Sequence, residues 1–364
     1  MPELPEVEVV RRGLVTHLTG ATLRDVDVLH PRTGRRYPGG SAALAQALEG
    51  ATIAKIDRRG KYLWCVLVGE STHLTPSLAP ALLIHLGMSG QLIIDDGAAS
   101  LLPHCRMHAH IGKGRSVSFV DQRTFGYLTI DKLLWEPRTE RWIPSLAQHI
   151  APDPLEEGFD MVATVRELRR HRVPLKNALL NQEIISGVGN IYADEALWAA
   201  RLHGTRLASG LSYAQLTTVL TEVQAVMRRA LAVGGTSFDA LYVNAAGEPG
   251  YFARSLHAYG KVGEPCDRCG TPLVSMVVSI VRVTSARPRA ALVGVPAKMT
   301  SSILPPRRVF APCSPITQVS ASSTFDFPEP LGPTMAQIPG SNRRVVAEAK
   351  DLKPLRVRLL RYMR

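Results

Sequence analysis

The amino-terminal stretch Pro2-Glu3-Leu4-Pro5-Glu6-Val7-Glu8 sets two prolines and three carboxylates within eight residues of the start. Removal of Met1 ahead of a small residue would leave Pro2 as a free secondary amine. An α-amino group titrates about two and a half units below a lysine, so part of it is neutral and nucleophilic at neutral pH. Glu3 would then stand beside the nucleophile as a carrier of protons. The same residues also read as a helix start, with Pro5 in the first turn and acids near the positive end of the helix dipole. From these residues alone, chemistry and capping both stand.

Other groups with chemical potential follow along the chain. Arg58-Arg59-Gly60-Lys61 puts three bases around a glycine, which suits a phosphate contact and equally a solvated turn between strands. His85-Leu86-Gly87-Met88-Ser89-Gly90 places Met88 on a glycine-flanked tip, either packed on a neighbour or able to wedge into a base stack. Arg123 and Phe125 in Asp121-Gln122-Arg123-Thr124-Phe125-Gly126 offer a base and an aromatic for hydrogen bonding and stacking on nucleobases. The same pair is common at strand ends. In Ser186-Gly187-Val188-Gly189-Asn190 a glycine turn leads into a helix with Asn190 at the N-cap, the form of an anion site made of backbone amides. An ordinary connection between helices has the same sequence form. Cys266 and Cys269 have the C-x₂-C spacing of half a zinc site, and no histidine follows His257.

The elements that must position these groups are of two kinds. Residues 12–135 alternate apolar and polar side chains between glycine and aspartate breaks, the pattern of strands. A helix is expected over 6–17, and the proline-rich stretch 136–158 reads as a linker. From residue 159 to 232 the apolar period becomes helical, with one helix expected to run to Ser186. The expected class is α+β. An N-terminal β-sandwich with flanking helices (1–136) precedes a helical helix–two-turn–helix domain (150–255), an incomplete zinc-finger hairpin (256–273) and an atypical tail (274–364). That tail holds 11 of the 26 prolines and shows no clear period, which is the composition of a poorly ordered extension.

At 364 residues, 45% hydrophobic and 20% charged, the chain has the make-up of a globular protein. Its apolar runs are too short to span a bilayer, and the acidic amino terminus is unlike a signal peptide. A membrane partner is therefore not expected. Five cysteines without a paired framework point to a reducing cytoplasm. The net charge of +12 suggests nucleic acid, yet 14 bases against 4 acids lie after Leu273, leaving 29 against 27 before it. A grip on DNA by the main body must come from locally clustered bases.

The series PELPEVE, RRGKYL, HLGMSG, DQRTFG, GVGNIYADEAL, GGTSFDALYVN and GEPCDRCGTP, in this order over residues 2–273, resembles the formamidopyrimidine-DNA glycosylase family. Leu4 favours its oxidised-purine branch over the endonuclease VIII type. The resemblance implies a base-excision glycosylase and AP lyase acting, as a monomer, on damaged double-stranded DNA. Pro2 would form a Schiff base with the sugar, Glu3 would move protons, Lys61 would serve β-elimination and Glu6 would position the active-site groups. Met88, Arg123 and Phe125 match the residues that fill the gap left by a flipped-out lesion. His85, His108, Lys176 and Asn190 match backbone or phosphate contacts, and Glu195 matches a structural acid. The family also implies a zinc ion held by two cysteine pairs, of which Cys266 and Cys269 are the first. Here the second pair and the hairpin arginine are absent, as though a change of reading frame had replaced the finger's end. The competing reading is a damaged-DNA-binding remnant with poor turnover. A generic helix–turn–helix regulator would leave the amino terminus without a purpose.

Overall fold

The computed structural model describes residues 2–69, 79–95, 101–235 and 252–277, with the backbone of 317–320. Within the first 144 residues two antiparallel sheets face each other. Helix α1 (Leu4–Leu18) leads into strand β1 (Arg24–Asp27) and helix α2 (Gly40–Leu48). There follow β2 (Thr52–Arg59), β3 (Tyr62–Val68), β4 (Pro80–His85), β5 (Gly90–Asp95), β6 (Cys105–Gly112), β7 (Arg115–Asp121), β8 (Tyr127–Glu136) and β9 (Arg141–Pro144). The sheets run in the orders β1-β6-β7-β5 and β2-β3-β4-β8-β9.

The core between them is built by alternation. Leu63, Cys65 and Leu67 of β3 point inward with Leu82 and Ile84 of β4, against Met107, Val117 and Phe119 of the other sheet. Val7, Val10, Leu14 and Leu18, on one face of α1, close the same core together with Leu44 and Leu48 of α2. The opposite face of the five-stranded sheet is also covered, with Trp64, Leu83 and Ile143 in a second cluster. That burial explains why β3 and β4 carry near-continuous apolar runs.

Helices α3 (Met161–Arg170), α4 (Leu175–Leu180), α5 (Asn190–Ala199) and α6 (Tyr213–Ala232) form the second region. Asp160 caps α3 by accepting from Ala163 N at 2.9 Å, and Ser212 with Gln215 forms a capping box at the start of α6. Leu4 of α1 belongs to the core of these helices. The amino terminus is therefore pinned in one hydrophobic cluster by Leu4 and in another by Val7.

Four expectations change. Helix α1 is longer than predicted, beginning at Leu4 because Glu3 is the N-cap residue. Residues 40–48 are helical where strands were expected, since Ala42, Ala43, Ala45 and Ala47 favour a helix and leave Leu44 and Leu48 on one face. Helix α4 stops at Leu180, well before Ser186, with Asn181 as its C-cap residue. The supposed linker contains β9, which completes the five-stranded sheet, and Asp153, which is wholly buried. In the tail, β10 (Val274–Val277) pairs in parallel with β11 (Thr317–Ser320). The rest of the tail and the stretch 236–251, with most of the GGTSFDALYVN motif, lie outside the described residues.

Candidate active site

The Glu3 carboxylate is the centre around which the site is built. It is 2% exposed and sits at the N-terminus of α5. Its Oε2 accepts from Gly189 N at 2.7 Å and from Tyr192 N at 3.4 Å, and Oε1 accepts from Ile191 N at 2.9 Å. The amides of the glycine turn thus hold a side chain of this chain, at the positive end of the helix dipole. The predicted phosphate site in this turn is already taken. Nor is Asn190 the N-cap: Gly189 is, and Asn190 is the first helical residue, half-buried. Burial overrides the favourable amides and pushes the Glu3 carboxyl up to about 7, with Lys61 opposing and Glu6 reinforcing the rise.

The chain around Glu3 is fixed on both sides. Leu4 N donates to Gly187 O at 3.0 Å, and Glu3 N donates to Glu6 Oε2 at 2.9 Å. Glu6 Oε1 accepts from the Tyr192 hydroxyl at 2.7 Å. Pro2, one residue before, is buried against this frame. Lys61 is half-buried in the two-residue turn between β2 and β3. Desolvation lowers the pKa of its ammonium, while Glu3 and Glu6 work the other way. An amine, a carboxyl poised near neutrality and a depressed lysine are what covalent amine chemistry with proton transfer requires.

A second group of side chains stands exposed on two abutting loops. Met88 is 36% and Phe125 44% exposed, with Arg123 also outside. A buried Asp121 joins the loops: Oδ1 accepts from Ser89 Oγ, and Oδ2 accepts from Gly126 N at 2.7 Å. Ser89 Oγ in turn accepts from Arg123 N at 3.0 Å. Gly87, at φ +64°, leaves no room for a side chain, since a Cβ there would lie 2.5 Å from Gly126 N. Exposed apolar tips held out on so rigid a base have the form of a wedge that enters a base stack.

Two arginines that the sequence reading passed over brace this loop. Arg35 donates to Gly126 O at 2.7 Å and to Phe125 O at 2.9 Å, and the Arg36 guanidinium lies 4.4 Å from the Tyr127 ring centre. With Arg32 they form the local cluster of bases that net charge could not reveal. The run Pro31-Arg32-Thr33-Gly34-Arg35-Arg36 was the available signal.

His85 stacks on Tyr127 with 5.4 Å between ring centres and meets Tyr62 edge-on. Burial, with Lys61, Arg36 and Arg35 nearby, pushes it down to about 4, so it offers a neutral imidazole and not a cation. His108 lies on the four-stranded sheet beside Ser118 Oγ, 3.1 Å away. Lys176 corrects the sequence reading outright: it is 0% exposed, with Nζ 2.7 Å from Asp194 Oδ1. A lysine enclosed in this way ties α4 to α5 and presents no ammonium to the surface. Glu195 gathers the amides of His257, Ala258 and Tyr259 at 2.7–3.1 Å.

The Formamidopyrimidine-DNA glycosylase N-terminal domain model matches residues 1–128, and the H2TH domain model of the same glycosylases matches 150–241. The chain belongs to the formamidopyrimidine-DNA glycosylase family. The formamidopyrimidine-DNA glycosylase of Rhodococcus jostii is 52% identical over 273 residues, 75% of this chain and 90% of the relative. That of Mycobacteroides abscessus is 54% identical over 270 residues, 74% and 91% of the two chains. Among solved structures, the MutM (Fpg) protein of Thermus thermophilus superposes with a TM-score of 0.60 at 33% identity, covering 74% of this chain and 92% of the other. A Lactococcus lactis Fpg in complex with DNA containing an abasic site gives 0.61 at 29%, covering 74% and 92%.

The glycosylase family's zinc finger does not fit the residues present. Cys266 is 3% exposed in an apolar cluster with Trp198, Ala258 and Leu273, whereas Cys269 is exposed. Among the described residues no three potential ligands come together, and the sequence after Cys269 holds a single cysteine, Cys313, and no histidine. A four-ligand site cannot be completed on the Cys266–Cys269 half. What docks this segment is a stack: the His257 ring lies parallel to Trp198 at 4.2 Å, and the Arg268 guanidinium lies 3.7 Å from the same indole.

Proposed function

We propose that this chain excises oxidised purines, formamidopyrimidines and 8-oxoguanine, from duplex DNA by covalent catalysis at Pro2 and then cleaves the strand as an AP lyase. The observation that carries the reading is the Glu3 carboxyl, held by α5 one residue from the amine and poised at about 7. In this mechanism the Pro2 nitrogen attacks C1′ of the damaged nucleotide, and the bond to the base breaks with its electron pair leaving on the base. Glu3 supplies a proton to the opening sugar and later accepts one from water, a double duty suited to a group near half-ionisation at neutral pH. The resulting iminium acidifies C2′, and loss of that proton expels the 3′ phosphate. Lys61 serves this β-elimination, and Glu6 holds the Glu3 amide in place.

Met88, Phe125 and Arg123 fill the space of the extruded nucleotide and hold the orphaned base. Arg32 and Arg36, with Asn190, His85 and His108, line the backbone path. The protein works as a cytoplasmic monomer, and among the described residues no helix is long and apolar enough to cross a membrane. Borohydride trapping on an 8-oxoguanine duplex tests the reading, with Pro2→Gly as control. A covalent complex with the wild type that vanishes in the variant supports it. Binding without trapping refutes it in favour of a non-catalytic binder of damaged DNA.

A further inference from the structure

The Gly60–Lys61 turn is gripped from three directions, and the grip runs through one buried arginine. Arg58 is 8% exposed; its Nε lies 3.0 Å from Glu8 Oε2 on α1, and its Nη1 lies 2.8 Å from Asp153 Oδ2. The same Asp153 oxygen accepts from Gly60 N at 3.0 Å, while Arg58 Nη1 donates to Gly60 O at 3.3 Å. Asp153 is itself fixed by donation of its own N–H to Glu156 Oε2 at 2.8 Å. On its far side the turn abuts Ser186 and Gly187, since a Cβ on Gly60 would lie 2.7 Å from Ser186 Oγ. Gly187 is the residue whose carbonyl holds Leu4 N.

We propose that Arg58, clasped between Glu8 and Asp153, sets Lys61 against Pro2 and Glu3, making Glu8, Arg58 and Asp153 positioning residues of the reaction. The inference rests on the function proposed above. Its physical basis is that Glu8 lies on α1, which carries Glu6 and follows directly on Pro2 and its N-cap Glu3. Arg58 and Gly60 flank the hairpin that carries Lys61, and Asp153 belongs to the stretch joining sandwich to helices. One guanidinium fork thereby spans all three pieces of chain, with both acceptors desolvated. Surface arginines at this hairpin would serve DNA; a buried one serves geometry.

Three full-length variants test it: Asp153→Ala removes the acceptor for Arg58 and Gly60, while Asp153→Asn and Glu8→Gln neutralise one partner each at constant volume. Single-turnover trapping on the 8-oxoguanine duplex reads the reaction, and binding to a duplex with a tetrahydrofuran abasic analogue reads affinity. Misplacement by about an ångström costs on the order of a hundredfold, so Asp153→Ala is expected to trap at least about tenfold more slowly with affinity within about twofold. Asp153→Asn, which keeps an oxygen for Gly60 N, recovers much of the rate. Independently of activity, NMR of the methylated lysines follows Lys61, which faces Glu3 at the N-cap of α1, Glu6 of α1 and His85 of β4. Its titration moves toward the ordinary lysine value in Asp153→Ala. If that variant does not fold, Glu8→Gln, which neutralises the other acceptor of Arg58, carries both readings. Wild-type trapping with an unmoved Lys61 in every folded variant overturns the inference. A wild-type protein that never traps, with Lys61 still shifting in the variants, fails the proposed function alone.

Discussion

Gly189 donates its backbone N–H to Glu3 Oε2 at 2.7 Å, and a methyl group on Gly189 would lie 2.3 Å from the Glu3 carboxyl carbon. The proton carrier is thus seated where only a glycine leaves room. Gly189→Ala must displace either Glu3 or the start of α5. We expect single-turnover excision to fall on the order of a hundredfold, since displacement by about an ångström is enough. The overpacking is expected to cost about 1–3 kcal/mol of stability. Trapping kinetics and thermal melting on the same preparation check the pair of outcomes; a variant that traps at the wild-type rate contradicts the seating.

The pH dependence of excision is expected to show a limb near the Glu3 value of about 7. Burial raises that value most, and the Glu6 charge raises it further. Removing a neighbouring negative charge makes an acid easier to ionise, so Glu6→Gln moves the limb to lower pH. Removing the Lys61 charge, in Lys61→Met, moves it to higher pH. Single-turnover rates across pH 5–9 measure both shifts. A limb that moves the same way in both variants, or in neither, belongs to another group.

Much of this site was legible because it depends on residue type. Pro2 next to Glu3, Met88 between glycines, and Arg123 with Phe125 before a glycine all state their chemistry locally. What stayed hidden depends on long-range partners. The glycine turn at 187–189 has the form of an anion site, and nothing local reveals that the anion is a carboxylate 186 residues away. Arg58 and Arg59 look like surface bases beside Lys61, yet Arg59 is 0% exposed and held by Glu136 and Glu156. Apart from Glu8, which holds Arg58 from α1, their carboxylate partners Glu136, Asp153 and Glu156 lie in a stretch whose prolines make it read as a linker. Lys176 failed for the same reason: its partner, Asp194, sits one helix later. The sandwich was readable from alternation, whereas α2 was lost among strands for being short and alanine-rich.

Acid stability follows from Glu8. Burial would raise its carboxyl, but the Arg11 hydrogen bonds and the Arg58 charge hold it down to about 2. A carboxyl lowered on folding contributes stability that is present above its unfolded value of 4.5 and lost as pH falls through about 2. At neutral pH that contribution is about 3 kcal/mol. Glu8→Gln is therefore expected to be less stable at pH 7 by roughly that amount and to show a flatter dependence between pH 4.5 and pH 2. Urea unfolding at a series of pH values measures both the offset and the slope. Equal slopes in wild type and variant would remove Glu8 from the account.

The finger start gives the last prediction. Two cysteines, one of them buried among Trp198, Ala258 and Leu273, do not make a four-ligand zinc site. Structural zinc ordinarily contributes folding free energy outright, so a chain that lacks the site must dock the segment by other contacts. Here those contacts are the stack of His257 on Trp198, the Arg268 guanidinium against the same ring, and an Arg268 hydrogen bond to Trp198 O at 2.7 Å. Metal analysis of the purified protein is expected to find well under one zinc per chain. A chelator is expected to leave the melting temperature and DNA affinity unchanged. Trp198→Ala, by contrast, removes the surface on which both side chains rest, at a cost of about 3–5 kcal/mol for a buried tryptophan, and releases residues 256–274 to limited proteolysis. One tightly held zinc per chain, with melting that falls on chelation, would show that the segment recruits ligands from elsewhere.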